Sequence, residues 1–290
     1  MPHAEWEDFT FDGIGTQWEV STPQPIDASL RARLLVLVER YDADWSRFRD
    51  DSIVSAMSRQ PGRFELPGES AALGELYRTL YGITGGAMTP LIGASLERLG
   101  YDASYSLRPA GAALPAPRWE DILDWDGTVL TTSAPLVLDI GAAGKGQLVD
   151  LLAAELRTSG VATFLIDASG DLLNSGPEPV TVALEHPYDP AKAIGTVSLA
   201  GGALCASAAN RRAWGDGLHH VLDGTTGSPV RTAVATWAMA ESTLLADALA
   251  TALFFVPGAE LERTFEFSWL TVFSDGSAAY SAGFEGTLFT

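Results

Sequence analysis

Apolar residues along this chain follow two rhythms. Leu30, Leu34, Leu37 and Val38 recur at helical spacing behind Asp27, a good helix cap, and predict a helix from residue 27 to about 41. Leu73, Leu76, Tyr77, Leu80 and Tyr81 predict a second helix over 70–84, stopped at Gly85 and Gly86, with a short one around 53–57 between the two. Further helical patterns cover 148–156 and 244–256, the latter ended by Pro257 and Gly258. Strand patterns occupy 9–22, 134–140, 161–166, 180–184 and 196–199. A hairpin of 269–273 and 278–282 turns around Ser-Asp-Gly-Ser. Residues 106–117, rich in Ala, Pro and Gly, read as a surface excursion, and nothing repeats at a period of roughly 20–50 residues. At 290 residues the chain could hold one large domain or two modest ones.

The stretch 138–150, Leu-Asp-Ile-Gly-Ala-Ala-Gly-Lys-Gly-Gln-Leu-Val-Asp, organises this pattern: a strand, a tight turn of small residues, then a helix. Such a turn lets backbone N–H groups approach a phosphate, and one of only two lysines in the chain, Lys145, sits in it. The spacing is neither a Walker A loop, since Asp139 and Gly146 stand at positions that motif reserves for other residues, nor a dinucleotide fingerprint. Close packing of a strand-to-helix turn would use the same residues.

Composition narrows the field. With 37 acidic against 18 basic residues the net charge is −19, which argues against a nucleic-acid or anionic-membrane surface. The single cysteine, Cys205, excludes an internal disulfide and a cysteine-based metal site. The N-terminal residues lack the regions of a secretion signal, and the longest greasy run, 244–256, is too short to cross a membrane and carries Asp247, so a soluble, cytoplasmic protein without membrane insertion is expected.

Three groups of residues could carry chemistry. Asp247 and Thr251 lie four apart on one face of an apolar helix, where a carboxylate needs a partner: a hard cation such as Mg²⁺, or a hydrogen-bonding loop. His219 and His220, half the histidines of the chain, precede a Gly-rich turn; one of them could accept a hydroxyl proton or simply be a satisfied structural residue. Trp45, Phe48, Tyr81 and Met88 could wall a flat aromatic ligand, or be plain core.

In order along the chain, these segments resemble the ApbE family of FAD-dependent flavin transferases. Gly13-Ile-Gly-Thr16 is similar to its Met-Gly-Thr strand, and Trp45-Ser-Arg-Phe48 with Asp51-Ser52 to its Phe-Ser-x-Tyr…Asp-Ser element. Gly86-Ala-Met-Thr-Pro90 is similar to Gly-Ala-Phe-Asp-Pro, and 138–150 to Asp-Leu-Gly-Gly-Ile-Ala-Lys-Gly-x-x-x-Asp. His220-Val-Leu-Asp-Gly-Thr-Thr-Gly-Ser-Pro229 and Ala246-Asp-Ala-Leu-Ala-Thr251 complete six motifs. Thr89 stands where the family has Asp, Gly224 where it has Pro, and Cys205-Ala-Ser-Ala208 where it has Ala-Thr-Ser-Gly.

The resemblance implies an α+β, T-fold-like architecture of two intertwined lobes with FAD in the cleft between them. It implies a Mg²⁺-dependent transfer of FMN from FAD to a threonine hydroxyl of an acceptor flavoprotein, releasing AMP. By it the metal falls to Gly144, Asp247 and Thr251, and the isoalloxazine to Ile14, Phe48, Ala87, Met88 and Thr89. The pyrophosphate and adenosine fall to Gly141, Lys145 and Gln147, with Val221 also on the cofactor and His220 as the base. Two rivals use the same residues: hydrolysis of FAD to FMN and AMP, and a flavin-binding protein without catalysis.

Overall fold

The computed structural model describes residues 6–289; the first five residues, part of the stretch that lacks a secretion signal, lie outside the described residues. Eight strands hydrogen-bond into one sheet, and each neighbouring pair is antiparallel. Their order is Glu7–Gly13, Thr16–Thr22, Leu165–Asp167, Asp171–Asn174, Gly202–Ala208, Ala233–Ala240, Ser268–Phe273 and Ala278–Tyr280. The predicted segment 9–22 is thus two strands joined at Ile14 and Gly15. Both have positive φ, 42° and 79°, as a two-residue primed hairpin turn requires, although a β-branched residue is costly there.

Three helices, Ala28–Trp45, Gly144–Thr158 and Thr243–Ala252, cover one face of this sheet and bury Leu34, Leu148, Leu152 and Leu249 against Cys205 and Ala238. Asp27 caps the first of them, its side chain accepting from Leu30 N, and the helix runs one turn beyond the predicted end because Tyr41 and Trp45 are buried with the rest of its inner face. The other face packs Leu204, Trp237 and Leu270 against Leu184, Val197 and Leu199 of a three-stranded sheet, Val180–His186, Asp189–Leu199 and Gly286–Leu288. A second three-stranded sheet joins Gly62–Glu65, Val129–Thr132 and Leu123–Asp126.

One predicted strand does not form, and two observed strands have no predicted counterpart. Residues 134–140 alternate in burial as a strand would, but they join no ladder. Their backbone donors go instead to Met57 O, from Leu136, and to Pro90 O, from Asp139, because the segment threads between a helix and a turn. The central strands Gly202–Ala208 and Ala233–Ala240 escape the hydrophobic pattern altogether. Buried on both faces and rich in alanine, they show neither clean alternation nor β-branched enrichment.

The helices Gly144–Thr158 and Thr243–Ala252 are clamped together, and the clamp sets the site. Asp150 accepts from the first backbone N–H groups of the second helix, Thr243 at 3.0 Å and Leu244 at 2.8 Å, and Asp247 returns the contact by accepting from Gly146 N at 2.8 Å. The crossing is so close that a Cβ on Gly146 would lie 2.2 Å from Thr243 O and 2.7 Å from the Asp247 Cβ. Gly146→Val should therefore cost more than the ~1–3 kcal/mol usual for overpacking, since a backbone carbonyl cannot step aside as a side chain can. Chemical denaturation would register the loss, and an unchanged midpoint would contradict this crossing.

Candidate functional site

A cavity of about 420 Å³ opens where the hairpin turn, the two clamped helices and the ends of the central strands converge. Ala87, Met88, Thr89, Gly141, Lys145, His220, Val221, Asp247 and Thr251 all line it, gathered from four separate stretches of the chain. The clamp carries Asp247 and Thr251 into one wall, and His220 stands in the lining beside Val221 and Leu222.

The structure does not bring four of the predicted residues to the lining. Gln147 is buried and committed elsewhere, accepting from Tyr41 Oη at 2.9 Å and donating to Glu69 O at 2.8 Å. Gly144 is buried at the first position of its helix against Ile140 and Tyr41; Gly141 and Ala142, just ahead of it, line the cavity instead. A first-turn carbonyl points along the helix axis, away from its N-terminal end. Ile14 sits at the hairpin turn, whose Gly15 and Thr16 do line the cavity. Phe48 stacks on Tyr105, with ring centroids 5.0 Å apart, and lies under the Arg47 guanidinium. Of the expected aromatic wall only Met88 remains, because Trp45 stacks on Trp125 and Tyr81 packs on Trp119.

Electrostatics distinguish the two ends of the lining. Burial, and after it the neighbouring charge of Asp171, raises the Asp247 carboxyl from 3.8 to about 8. Asp171 is itself fully buried, and burial raises it too. Lys145 is the cation serving this pair: its Nζ lies 3.0 Å from Asp171 Oδ2 and donates to Ala168 O at 2.7 Å. Two buried carboxylates against one ammonium, with the Thr251 hydroxyl a helical turn from Asp247, make a hard-oxygen donor set short of positive charge, which fits a hard divalent cation completed by water or phosphate oxygens. Among the described residues no group of three or more His, Cys, Asp or Glu side chains is assembled for a metal. At the other end, burial first, then Arg212 and His219, lowers the His220 imidazole to about 3, so the ring is neutral near pH 7 with its Nδ1 enclosed and unpartnered.

Two residues that sequence reasoning missed belong to this geometry. Asp171 opens the strand Asp171–Asn174 directly after Gly170, and nothing in its local sequence sets it apart from an ordinary turn carboxylate. Arg47, buried with its side chain 3% exposed, bonds Asp139 at 2.6 Å and donates to Tyr101 O at 2.8 Å. Asp139 Oδ1 in turn accepts from Gly141 N, which shapes the turn along the cavity.

A family model described as the ApbE family matches residues 14–269. The chain belongs to the ApbE family. It is 28% identical over 264 residues to the FAD:protein FMN transferase of Rhodobacter capsulatus, an alignment covering 84% of this chain and 50% of that protein, so the chain spans about half that relative's length. It is 25% identical over 242 residues to the FAD:protein FMN transferase of Vibrio cholerae, covering 78% and 72%. Among solved structures, the ApbE protein of Thermotoga maritima superposes with a TM-score of 0.84 at 24% identity, covering 97% of this chain and 99% of that one. The flavin transferase ApbE of Vibrio cholerae does so at 0.77 and 20%, covering 96% and 97%.

Against that ApbE background two departures of this chain are mutually fitted. Thr89 caps the short Pro90–Ile92 turn by accepting from Leu91 N, the service an aspartate would give. A Cβ at position 224 would lie 2.5 Å from Thr89 Cγ2 and 2.7 Å from Gly86 O, so glycine there leaves room for threonine at 89. The third departure forms the end of a central strand, whose Ala206, Ser207 and Ala208 line the cavity. No helix among the described residues is long and apolar enough to cross a membrane.

Proposed function

We propose that the chain, acting as one domain over 1–290, is a Mg²⁺-dependent FAD:protein FMN transferase that moves FMN from FAD to a threonine hydroxyl of an acceptor flavoprotein and releases AMP. The observation that carries the reading is the pairing, in one cavity, of a neutral imidazole at His220 with the under-compensated carboxylates Asp247 and Asp171. The names of the relatives support the same activity.

Asp247, with Thr251 and a backbone carbonyl of Gly141 or Ala142 in place of the Gly144 carbonyl that the resemblance implied, would hold the metal, and Asp171 would add negative charge behind it. Mg²⁺ bound there supplies charge neutralisation at the pyrophosphate oxygens. Ala87, Met88 and Thr89 offer an apolar shelf for the flavin ring, and Gly141 offers a backbone without side-chain obstruction toward the phosphates. His220, neutral at working pH, takes the proton of the threonine hydroxyl as its oxygen bonds to the FMN phosphorus and the bond from that phosphorus to the bridging oxygen breaks, with AMP departing. Cytoplasmic location is part of the proposal.

Incubation with FAD, Mg²⁺ and a threonine-bearing flavoprotein domain should give in-gel flavin fluorescence on the acceptor and one AMP per flavin attached. His220→Ala should slow labelling about 10²–10⁴-fold, the usual contribution of a positioned base. AMP released at full rate without an acceptor would favour hydrolysis. FAD binding with neither product would leave a flavin-binding protein only.

A further inference from the structure

We propose that Arg212 is the residue that binds the phosphate group of the nucleotide in this cavity, beside His220. The inference rests on the FAD reading above and adds to it the chain's own anion-binding side chain.

Three cations line the cavity of this strongly acidic protein: Lys145, Arg211 and Arg212. Two of them are engaged. The Lys145 ammonium reaches Ala168 O at 2.7 Å, Asp171 at 3.0 Å and Ser169 O at 3.5 Å, so its three protons already have acceptors within the fold. Its work is to tie the Gly144–Thr158 helix to the turn before Asp171 and to offset the buried carboxylates. Arg211 pairs with Glu185 at 2.8 Å, across the mouth of the cavity. Arg212 makes no ion pair among the described residues.

Position makes that free guanidinium significant. It lines the cavity together with Tyr101, Asp139, His220 and Asp247, and its charge is felt at all four. A cation that reaches the carboxylate side and the imidazole side together sits where a pyrophosphate must lie if it is to touch both. Its planar fork can receive two phosphate oxygens at once, which an ammonium cannot. It also explains how a chain with net charge −19 could accept a dianionic ligand at a site already holding Asp139, Asp171 and Asp247. Arg212 stands on the segment between the strand Gly202–Ala208 and the histidine pair, and its side chain is exposed and lines the cavity.

Flavin fluorescence titration with FAD and with riboflavin, which lacks phosphate, tests the assignment on the full chain with Mg²⁺ present. Arg212→Gln should weaken FAD binding about tenfold or more, as expected for losing a charge-assisted pair, and leave riboflavin within about twofold. Arg212→Lys should recover part of the loss, and Arg211→Gln, which removes an equal charge from the same loop, should have the smaller effect. Equal weakening of FAD and riboflavin, no change for FAD, or an equal loss in Arg211→Gln would each overturn the role of Arg212. If the unaltered chain fails to bind FAD, the transferase reading falls. Inorganic pyrophosphate, followed by calorimetry, then decides separately: binding that Arg212→Gln abolishes upholds the anion site, and binding that is absent or insensitive to the substitution removes it.

Discussion

Asp247→Asn should lower acceptor labelling by about 10³-fold or more while leaving the metal-free protein as stable as before or more so. The two effects share one cause. The carboxylate is the central oxygen donor of the proposed metal site, and losing several kcal/mol of charge neutralisation at the phosphates corresponds to a rate change of that size. In the metal-free fold, however, the same carboxylate faces Asp171 across a site with a single ammonium, and the combination of burial and that neighbour raises it to about 8. In the unfolded chain it titrates near 3.8, so between these values the folded protein holds a proton that the unfolded chain has released. The stabilisation from this group is therefore complete below the unfolded value and is lost as pH rises through about 8. Melting curves in EDTA from pH 6 to 9 should show a falling transition for the unaltered chain and a flatter one for Asp247→Asn. Adding Mg²⁺, which binds the ionised form, should restore the transition at the alkaline end only when Asp247 is present. A melting temperature insensitive to pH in EDTA, or a Mg²⁺ shift that survives the substitution, would sink the assignment.

How much of this was legible in the residues varies with the physical range of the signal. Asp27 announced its helix because capping is a local matter settled within three residues. Asp247 and Thr251 could be paired from spacing alone, because four residues are one helical turn. What lies across the turn from them could not. Asp171 is about seventy-five positions away, and only the sheet order brings its strand beside Gly202–Ala208 and hence under the clamped helices. Gln147 illustrates the converse error. The resemblance suggested a ligand contact, but two helical residues beyond Lys145 turn its side chain about 200° away from the lysine, here into Tyr41 and Glu69. The central strands were hidden because burial on both faces erases the alternation by which strands are recognised, leaving Ala-Val-Ala-Thr-Trp-Ala-Met-Ala with no face to read.

Arg47→Met should cost about 3–5 kcal/mol of stability, more than any other single side-chain truncation argued above, because it leaves a buried carboxylate without its partner. Arg47 and Asp139 lie 2.6 Å apart with side chains 3% and 16% exposed, and the guanidinium lies over the ring of Phe48, at 4.2 Å, and over that of Tyr101, at 5.0 Å. Burial alone would push the Asp139 carboxyl up, but Arg47 outweighs it and holds the group below its ordinary value. For a carboxyl lowered on folding, the stabilisation is present above the unfolded value near 3.8 and is lost as pH falls through the folded one, so the pair contributes to acid unfolding below about pH 4. Without Arg47 the carboxyl rises instead, and the variant should lose less stability on acidification than the unaltered chain while being weaker near neutral pH. The double change Arg47→Met with Asp139→Asn should recover much of the loss at neutral pH, since the uncompensated charge is gone and Asn still offers an oxygen to Gly141 N. Urea unfolding at pH 7 and at pH 4 measures all three proteins. Equal costs at both pH values, or a double variant no better than Arg47→Met, would mean that the arginine serves through its stacking on Phe48 and Tyr101 and not through Asp139. The pair also explains why a cation sits in the middle of the Trp45–Phe48 motif. Holding Asp139 there fixes the Gly141 turn, and with it the backbone that lines the cavity just ahead of Lys145.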